Sequence, residues 1–200
     1  MRVGIEASPT RRRILQAGFV VSASVVAWPH TGGAAAASEL PLTPACDDGD
    51  DPTPSQTAGP FFTPNSPERA SLREAGVIGT SIVLTGFVLT RDCRPAAGAL
   101  LDFWHADDAG AYDNDGYRLR GHQFADDAGR YQLETIVPGH YPGRTRHFHV
   151  RVQASSGPIL TTQLYFPDEP GNQRDRLFRP DLLVDRDGDT ARFDFVLQEG

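Results

Sequence analysis

TRHFHVRV, residues 145–152, alternates polar and apolar side chains like a β-strand with one buried face. Its apolar side chains are expected to face a core: Phe148, Val150 and Val152. His147 and His149 then share the opposite face, roughly 6.6–6.8 Å apart at about 3.3–3.4 Å of rise per residue. Two imidazoles at that spacing can converge on one metal ion. The alternative is a strand whose exposed face happens to carry two histidines.

The rest of the chain indicates an all-β protein. Twenty glycines and 16 prolines in 200 residues punctuate short β-branched and aromatic runs. Strands are predicted over residues 80–90, 99–104, 129–137, 145–152, 161–166 and 192–197. We predict a β-sandwich of mainly antiparallel strands with long active-site loops. One short N-terminal helix is predicted, capped by Ser66, started by Pro67 and ended before Gly76.

The N-terminus has the features of a bacterial export signal. Three arginines at 11–13 precede an apolar run, 17–28, which is followed by a stretch of small residues typical of a cleavage site. The paired arginines are typical of a twin-arginine signal. The run is short for a membrane anchor, which needs about 20 apolar residues, so no stable membrane insertion is expected after cleavage. We assign residues 1–36 to the signal, 37–52 to a linker or arm, and 53–200 to one domain.

Charge and cysteine content narrow the function classes further. The formal charge is −7, and residues 1–36 carry four arginines and one glutamate, so removing them would give −10. An acidic chain of this kind is not expected to bind nucleic acid through the electrostatic field of its net charge. All the basic residues are arginine, which is typical of a high-GC genome. Cys46 and Cys93 could form a disulfide in an exported protein, and two free thiols are the alternative.

Two tyrosines precede the histidine strand in a recognisable order. Tyr112 follows a tryptophan-containing strand, and Tyr141 lies in the turn Pro-Gly-His-Tyr-Pro at 138–142. With the His-x-His strand, this order resembles the intradiol ring-cleavage dioxygenases of the protocatechuate and catechol 1,2-type. The resemblance runs from about residue 53 to 166, with a last strand near 193–197.

The resemblance implies a metal centre and a reaction. One Fe(III) per chain would be bound by four side chains, listed in chain order: Tyr112, Tyr141, His147 and His149. Ferric iron prefers anionic oxygen, which a phenolate supplies, and imidazole is a good nitrogen ligand. The partners would be a small catechol and O₂, and the product a cis,cis-muconate. Tyr141 would leave the metal and accept a proton. Arg144 would stabilise negative charge on the ring, and Gln163 would support Arg144.

Several assignments have competitors. Tyr117 is the competitor of Tyr112 as a metal ligand. The alternation of its strand places Tyr131 on one face, and it is interpreted as a core residue rather than a ligand. His105, His122 and His140 are interpreted as loop or rim residues. A secreted, non-catalytic transthyretin-like binding module is the main alternative function, because Ile-x-Pro-Gly-x-Tyr also occurs in such modules. The chain has no room for the helical dimerisation region of catechol-type relatives, so the substrate and any homo-oligomer stay open.

Overall fold

The computed structural model describes residues 51–198. This part of the chain forms nine β-strands and one short 3-10 helix. The strands are β1 Ser81–Thr90, β2 Leu100–Trp104, β3 Arg120–Phe124, β4 Arg130–Ile136, β5 His147–Gln153, β6 Leu160–Tyr165, β7 Asp185–Asp187, β8 Thr190–Arg192 and β9 Phe195–Leu197. The 3-10 helix spans Pro180–Leu182. The export signal and most of the linker lie outside the described residues.

The strands make two sheets that pack face to face. One sheet has the order β4-β1-β8-β7, and β9 also pairs with β1. The other has the order β3-β2-β5-β6 and is antiparallel throughout. The only parallel strand pairs in this part of the chain join β1 to β8 and to β9. The prediction of an all-β, mainly antiparallel sandwich is confirmed.

The core lies between the sheets and follows the alternation of the sequence. Phe148 and Val150 of β5 and Phe103 of β2 are fully buried there, as are Leu84 and Leu133, which pair across β1 and β4. The histidines of β5 therefore occupy its other face, as predicted.

The predicted helix at residues 66–76 is wrong. This segment is extended and crosses an edge of each sheet: Glu68 bridges to His122 of β3, and Ser71 bridges to Glu134 of β4. β3 and β4 are edge strands, so their unpaired backbone groups are available as partners. Pairing with both edges satisfies backbone groups that a helix would have satisfied internally. The Ser66 hydroxyl, expected to cap the helix, instead donates to Asp102 at 2.7 Å.

Sequence patterning also missed β3, whose sequence RGHQF shows little strand alternation. The reason lies in the crossing segment. A Cβ on Gly121 would come within 2.8 Å of the Leu72 side chain, so a glycine stands where a strand would ordinarily carry an apolar residue. Leu72 itself is fully buried and fills that space. The strand predicted at 192–197 is two short strands, β8 and β9, and β7 was not predicted.

Two further predictions concern covalent and membrane features. Cys93 is disulfide-bonded, while Cys46, the other cysteine of the sequence, lies outside the described residues. The pairing of these two cysteines stays a prediction. Within residues 51–198, no helix has the length and apolar character needed to cross a membrane.

Candidate metal centre

His147 and His149 bring their rings together on one face of β5. Their Nε2 atoms lie 3.2 Å apart, and both residues are buried. The His147 Nδ1–H donates to the Thr145 carbonyl at 2.7 Å, which leaves the lone pair of its Nε2 facing His149. Two nitrogen ligands of one ion, each at about 2.0–2.1 Å from it, lie about 2.8–3.4 Å apart at right-angled to tetrahedral geometry. The observed separation matches that expectation.

Packing, rather than hydrogen bonding, orients His149. Its ring stacks on Trp104 with centroids 4.9 Å apart and planes 4° apart. A Cβ on Gly59 would lie 3.4 Å from His149 Cε1, so the chain passes close to the imidazole edge. Among residues 51–198, the buried Nδ1 of His149 has no hydrogen-bond partner.

Tyr112 reaches the histidine pair from the β2–β3 loop. Its hydroxyl lies 3.4 Å from His147 Nε2. Its ring stacks on Phe61 with centroids 4.4 Å apart. The buried guanidinium of Arg120 holds both segments, because it donates to the Phe61 carbonyl at 2.5 Å and to the Asp113 carbonyl at 2.6 and 2.9 Å. Tyr112 is therefore fixed between an aromatic partner and an arginine tether.

Tyr141 lies next to Tyr112. The two rings meet edge to face with centroids 6.0 Å apart, and Tyr141 is half-buried. Two glycines allow their loops to approach this closely. A Cβ on Gly110, whose φ is +85°, would be 2.0 Å from the His140 carbonyl oxygen, and one on Gly139 would be 2.4 Å from the Asp108 carbonyl oxygen. Of the four side chains that the resemblance implies as ligands, the structure thus brings Tyr112, His147 and His149 together and places the Tyr141 ring against Tyr112.

The surroundings of these groups favour their neutral forms. Burial lowers the pKa of His147 to about 4 and lowers the pKa of His149 well below its usual value. Burial also raises the pKa of Tyr112 to about 12, although Arg144 and Arg120 act against that rise. At neutral pH both imidazoles therefore keep a free lone pair. A phenolate at Tyr112 would need a bound cation to stabilise it.

The donor set suits a hard cation that accepts nitrogen and phenolate oxygen. No group of three or more His, Cys, Asp and Glu side chains within the described residues could hold a metal ion. A metal here would therefore depend on the tyrosines in addition to the two histidines. That combination fits Fe(III), which prefers anionic oxygen and accepts imidazole.

Arg144 lies beside the centre, in a network on β6. Its Nη2 donates to Gln163 Oε1 at 2.5 Å, and Gln163 is the cross-strand partner of His149. The Gln163 amide in turn donates to the Thr57 carbonyl at 2.9 Å. The predicted pairing of Arg144 with Gln163 is thus present as a hydrogen bond.

Asp175 and Tyr165 belong to this network, and sequence reasoning missed both. Asp175 Oδ2 accepts from Arg144 Nε at 2.8 Å and from the Thr145 N–H at 2.9 Å. The Tyr165 hydroxyl lies 2.7 Å from Gln56 Oε1 and 2.8 Å from the Leu177 carbonyl oxygen. Tyr165 follows the predicted Gln163 by two residues on a strand, which places both on one face and could have identified it. Nothing near Asp175 in the sequence distinguishes it from the neighbouring solvated acids.

The competing candidates lie elsewhere. Tyr117 is exposed, and its hydroxyl donates to the Pro64 carbonyl. Tyr131 is in the core as predicted, with its hydroxyl donating to the Phe193 carbonyl. His140 is exposed at the rim, and His122 lies on β3. His105 lies in the β2–β3 loop, as interpreted, although its ring is buried and its Nε2 lies 2.7 Å from Thr135 Oγ1.

Comparisons with known proteins agree with this arrangement. A family described as "Dioxygenase" matches residues 57–198. A solved dioxygenase domain of a dioxygenase carbohydrate-binding protein fusion from Streptomyces sp. SirexAA-E is 52% identical, with a TM-score of 0.71, over 75% of this chain and 100% of that one. The solved hydroxyquinol 1,2-dioxygenase of Pseudomonas putida DLL-E4 is 26% identical, with a TM-score of 0.67, over 75% of this chain and 68% of that one.

Curated sequences give the same result at lower coverage. Hydroxyquinol 1,2-dioxygenase of Rhizobium sp. (strain MTP-10005) is 30% identical over 160 residues, which is 66% of this chain and 54% of that protein. Chlorocatechol 1,2-dioxygenase of Rhodococcus opacus is 29% identical over 73% of this chain and 72% of that protein. The chain spans about half the length of the first of these relatives. These comparisons do not favour the transthyretin-like binding module.

Proposed function

Because the chain belongs to the intradiol ring-cleavage dioxygenase family, we propose that it is an Fe(III)-dependent enzyme that cleaves catecholic rings with O₂ to cis,cis-muconate-type products. The observation that carries the proposal is the convergence of Tyr112 Oη, His147 Nε2 and His149 Nε2 in one buried cluster beside Arg144. The ligand set proposed is Tyr112, Tyr141, His147 and His149.

Each part of the site has a proposed task. A bound ferric ion would supply Lewis acidity that favours the deprotonated forms of tyrosine and of the substrate diol. The two imidazoles, held by the Thr145 carbonyl and by Trp104, would present fixed nitrogen donors. Tyr112 would stay in place, because Phe61 stacks on its ring.

The half-buried Tyr141 would be the residue that moves protons, with its Oη accepting one from the diol. Arg144 would stabilise negative charge that develops on the ring oxygens, since its guanidinium is held next to β5 by Asp175 and Gln163. The aromatic side chains of Phe61, Phe62 and Trp104 surround the cluster and would exclude water from it.

The substrate is proposed at the level of the class. Relatives are named for catechol, chlorocatechol, hydroxyquinol and protocatechuate. Oxygen uptake should therefore be measured on a panel of these diols with the purified full chain after loading with Fe(III). We expect a red-brown protein with one iron per chain, uptake with at least one diol, and a ring-opened dicarboxylate as the product.

Two tyrosine variants provide the matched control. Tyr112→Phe should lose the tyrosinate colour or turnover, whereas Tyr117→Phe, on the same loop but exposed, should retain both. A colourless protein that binds no iron on reconstitution, or no uptake with any diol, would refute the proposed function. Full activity of Tyr112→Phe would refute the ligand assignment.

We also propose that the enzyme is exported by the twin-arginine route and acts outside the cytoplasm. Support comes from the paired arginines and the apolar run within residues 1–36. Replacing Arg12 and Arg13 with lysine should leave the precursor inside the cell while the charge is unchanged. Unimpaired export of that variant would contradict the route.

A further inference from the structure

A cleft of about 530 Å³ opens next to Arg144, which lies beside the candidate metal centre. Arg144 and His140, the neighbour of Tyr141, contribute to its wall. The Arg144 guanidinium also contacts Gln163, the cross-strand partner of His149. The same arginine thus faces both the cleft and the ligand strand, so a substrate bound at the centre can extend into the cleft.

The cleft has room for a substituent of a diol whose ring lies at the centre. At roughly 30 Å³ for each non-hydrogen atom, the share of one water molecule in the liquid, the five such atoms of a propenoate side chain would fill about 150 Å³. The cleft volume exceeds this requirement, so an extended substituent fits. A volume in this range is typical of small-molecule sites, which lie between about 300 and 1,000 Å³.

The remaining wall carries an arginine without a partner. Arg174 lines the cleft, and within residues 51–198 its side chain makes no hydrogen bond or ion pair. Arg144 in the same wall is different, because Asp175 pairs with it at 2.8 Å. A free guanidinium presents a fork of donors that matches a carboxylate.

The loop that carries Arg174 is anchored on both sides. Before it, Asn172 accepts a hydrogen bond from the Thr145 hydroxyl at 2.7 Å and donates to the Phe166 carbonyl at 2.9 Å. After it, the carboxylate of Asp175 accepts from Arg144 and from the Thr145 N–H. Arg174 is thus held at a defined place relative to β5, which reduces the entropy lost on binding an anion.

We propose that this cleft binds a carboxylate on the side chain of the catechol, and that Arg174 is the residue that recognises it. This inference rests on the proposed dioxygenase function and names its substrate class: diols whose ring bears an extended, anionic substituent. The chain carries a net charge of −7, so a cationic cleft in it would attract anions only locally.

The test compares caffeate with its amide, which share shape and diol but differ in charge. The iron-loaded full chain, Arg174→Gln, Arg174→Lys and Arg176→Gln are assayed with both compounds by oxygen uptake. Arg176 is the control, since it is an exposed arginine on the same loop that does not line the cleft. Arg174→Gln should raise the KM for caffeate about tenfold, the loss expected for one charged hydrogen bond, and leave the amide unchanged.

Arg174→Lys should fall between the wild type and Arg174→Gln, and Arg176→Gln should match the wild type. A second measurement does not depend on turnover: calorimetric titration of the metal-free chain should show tighter binding of caffeate than of its amide, and salt should reduce the difference. An unchanged ratio of caffeate to amide KM in Arg174→Gln would overturn the inference.

If Arg174→Gln loses activity with both compounds, the KM values of the wild type for caffeate and its amide are compared instead. Equal KM values for caffeate and its amide at low salt would then overturn the inference. Turnover of the amide without any Arg174 effect would leave the dioxygenase function standing. The absence of iron binding and of uptake with every diol would instead refute the function itself.

Discussion

The two halves of the candidate centre are held in different ways. His147 and His149 lie on β5, an inner strand that pairs with β2 on one side and β6 on the other. Tyr112 and Tyr141 lie on loops, and their positions depend on Arg120, Phe61 and two glycines at close approaches. Backbone pairing thus orients the nitrogen donors, whereas side-chain tethers and the absence of a Cβ position the oxygen donors.

This difference shows why the two halves could have different roles. A donor on an inner strand can move only if the sheet deforms. A donor on a loop can move when a few local contacts are exchanged. The proposed proton-accepting residue, Tyr141, belongs to the loop half, and the arginine proposed to stabilise charge lies between the halves.

The largest effect is expected from removing a candidate ligand on the strand. His147→Ala should abolish iron binding and reduce turnover below detection, because His105, another buried imidazole, has its ring nitrogens engaged with the Ala106 carbonyl and the Thr135 hydroxyl. Metal analysis and oxygen uptake measure this result. His140→Ala, an exposed rim histidine, serves as the control and should retain stoichiometric iron. If His147→Ala bound iron and remained active, the strand half, which consists of His147 and His149, would not belong to the metal centre.

The next effect tests the loop half. Gly110→Ala would place a Cβ 2.0 Å from the His140 carbonyl, so the loops of Tyr112 and Tyr141 must separate. We expect a loss of about 3 kcal/mol in the free energy of unfolding and weaker iron binding. Gly76→Ala has a similar φ, +86°, but no atom within 4 Å, and should lose only about 1–2 kcal/mol. Equal losses in denaturant titrations would show that loop proximity contributes nothing.

Asp175→Asn tests the connection between the halves and should be pH-dependent. Burial alone would raise the pKa of Asp175, but hydrogen bonds from the Leu177 and Thr145 N–H groups and from Arg144 lower it. A lowered folded-state pKa stabilises the protein above the unfolded value of about 3.9, and this stabilisation is lost as the pH falls through the folded pKa. The wild type should therefore exceed Asp175→Asn by about 2 kcal/mol near pH 7.

That difference should shrink below about pH 4, where the carboxyl group of the unfolded chain begins to be protonated and the folded protein loses its advantage. Unfolding titrations between about pH 3 and 7 measure it. A difference that stays constant across this range would mean that the charge of Asp175 does not contribute to stability. A loss of kcat without a stability change would place the effect on Arg144 alone.

The smallest effect is expected inside the strand half. Tyr165→Phe removes a buried hydroxyl that contacts Gln56 and the Leu177 carbonyl. It should cost about 1 kcal/mol of stability and leave the iron content unchanged. Tyr117→Phe removes an exposed hydroxyl and should cost less than about 0.5 kcal/mol. Loss of iron from Tyr165→Phe would show that the strand half also depends on side-chain tethers.

Much of the fold could be predicted because the strands follow a local alternation of apolar and polar residues. The alternation of TRHFHVRV places Phe148 and Val150 in the core and two histidines on the other face, and the structure has both features. The extended conformation of residues 66–76 could not be predicted locally, because Ser66 and Pro67 at the start and Gly76 at the end are typical helix-boundary residues. The free edges of β3 and β4, which come from distant parts of the chain, provide the competing partners.

The sequence by itself determined the strand class, the spacing of the histidines and, through motif resemblance, the four candidate ligands. Tertiary structure alone decided that the Tyr112 hydroxyl meets His147, that Asp175 pairs with Arg144, and that Arg174 faces a cleft. The physical reason is range. Strand patterning depends on neighbours one or two residues away, whereas these contacts join residues about 30 positions apart, through loops that have no periodicity to read.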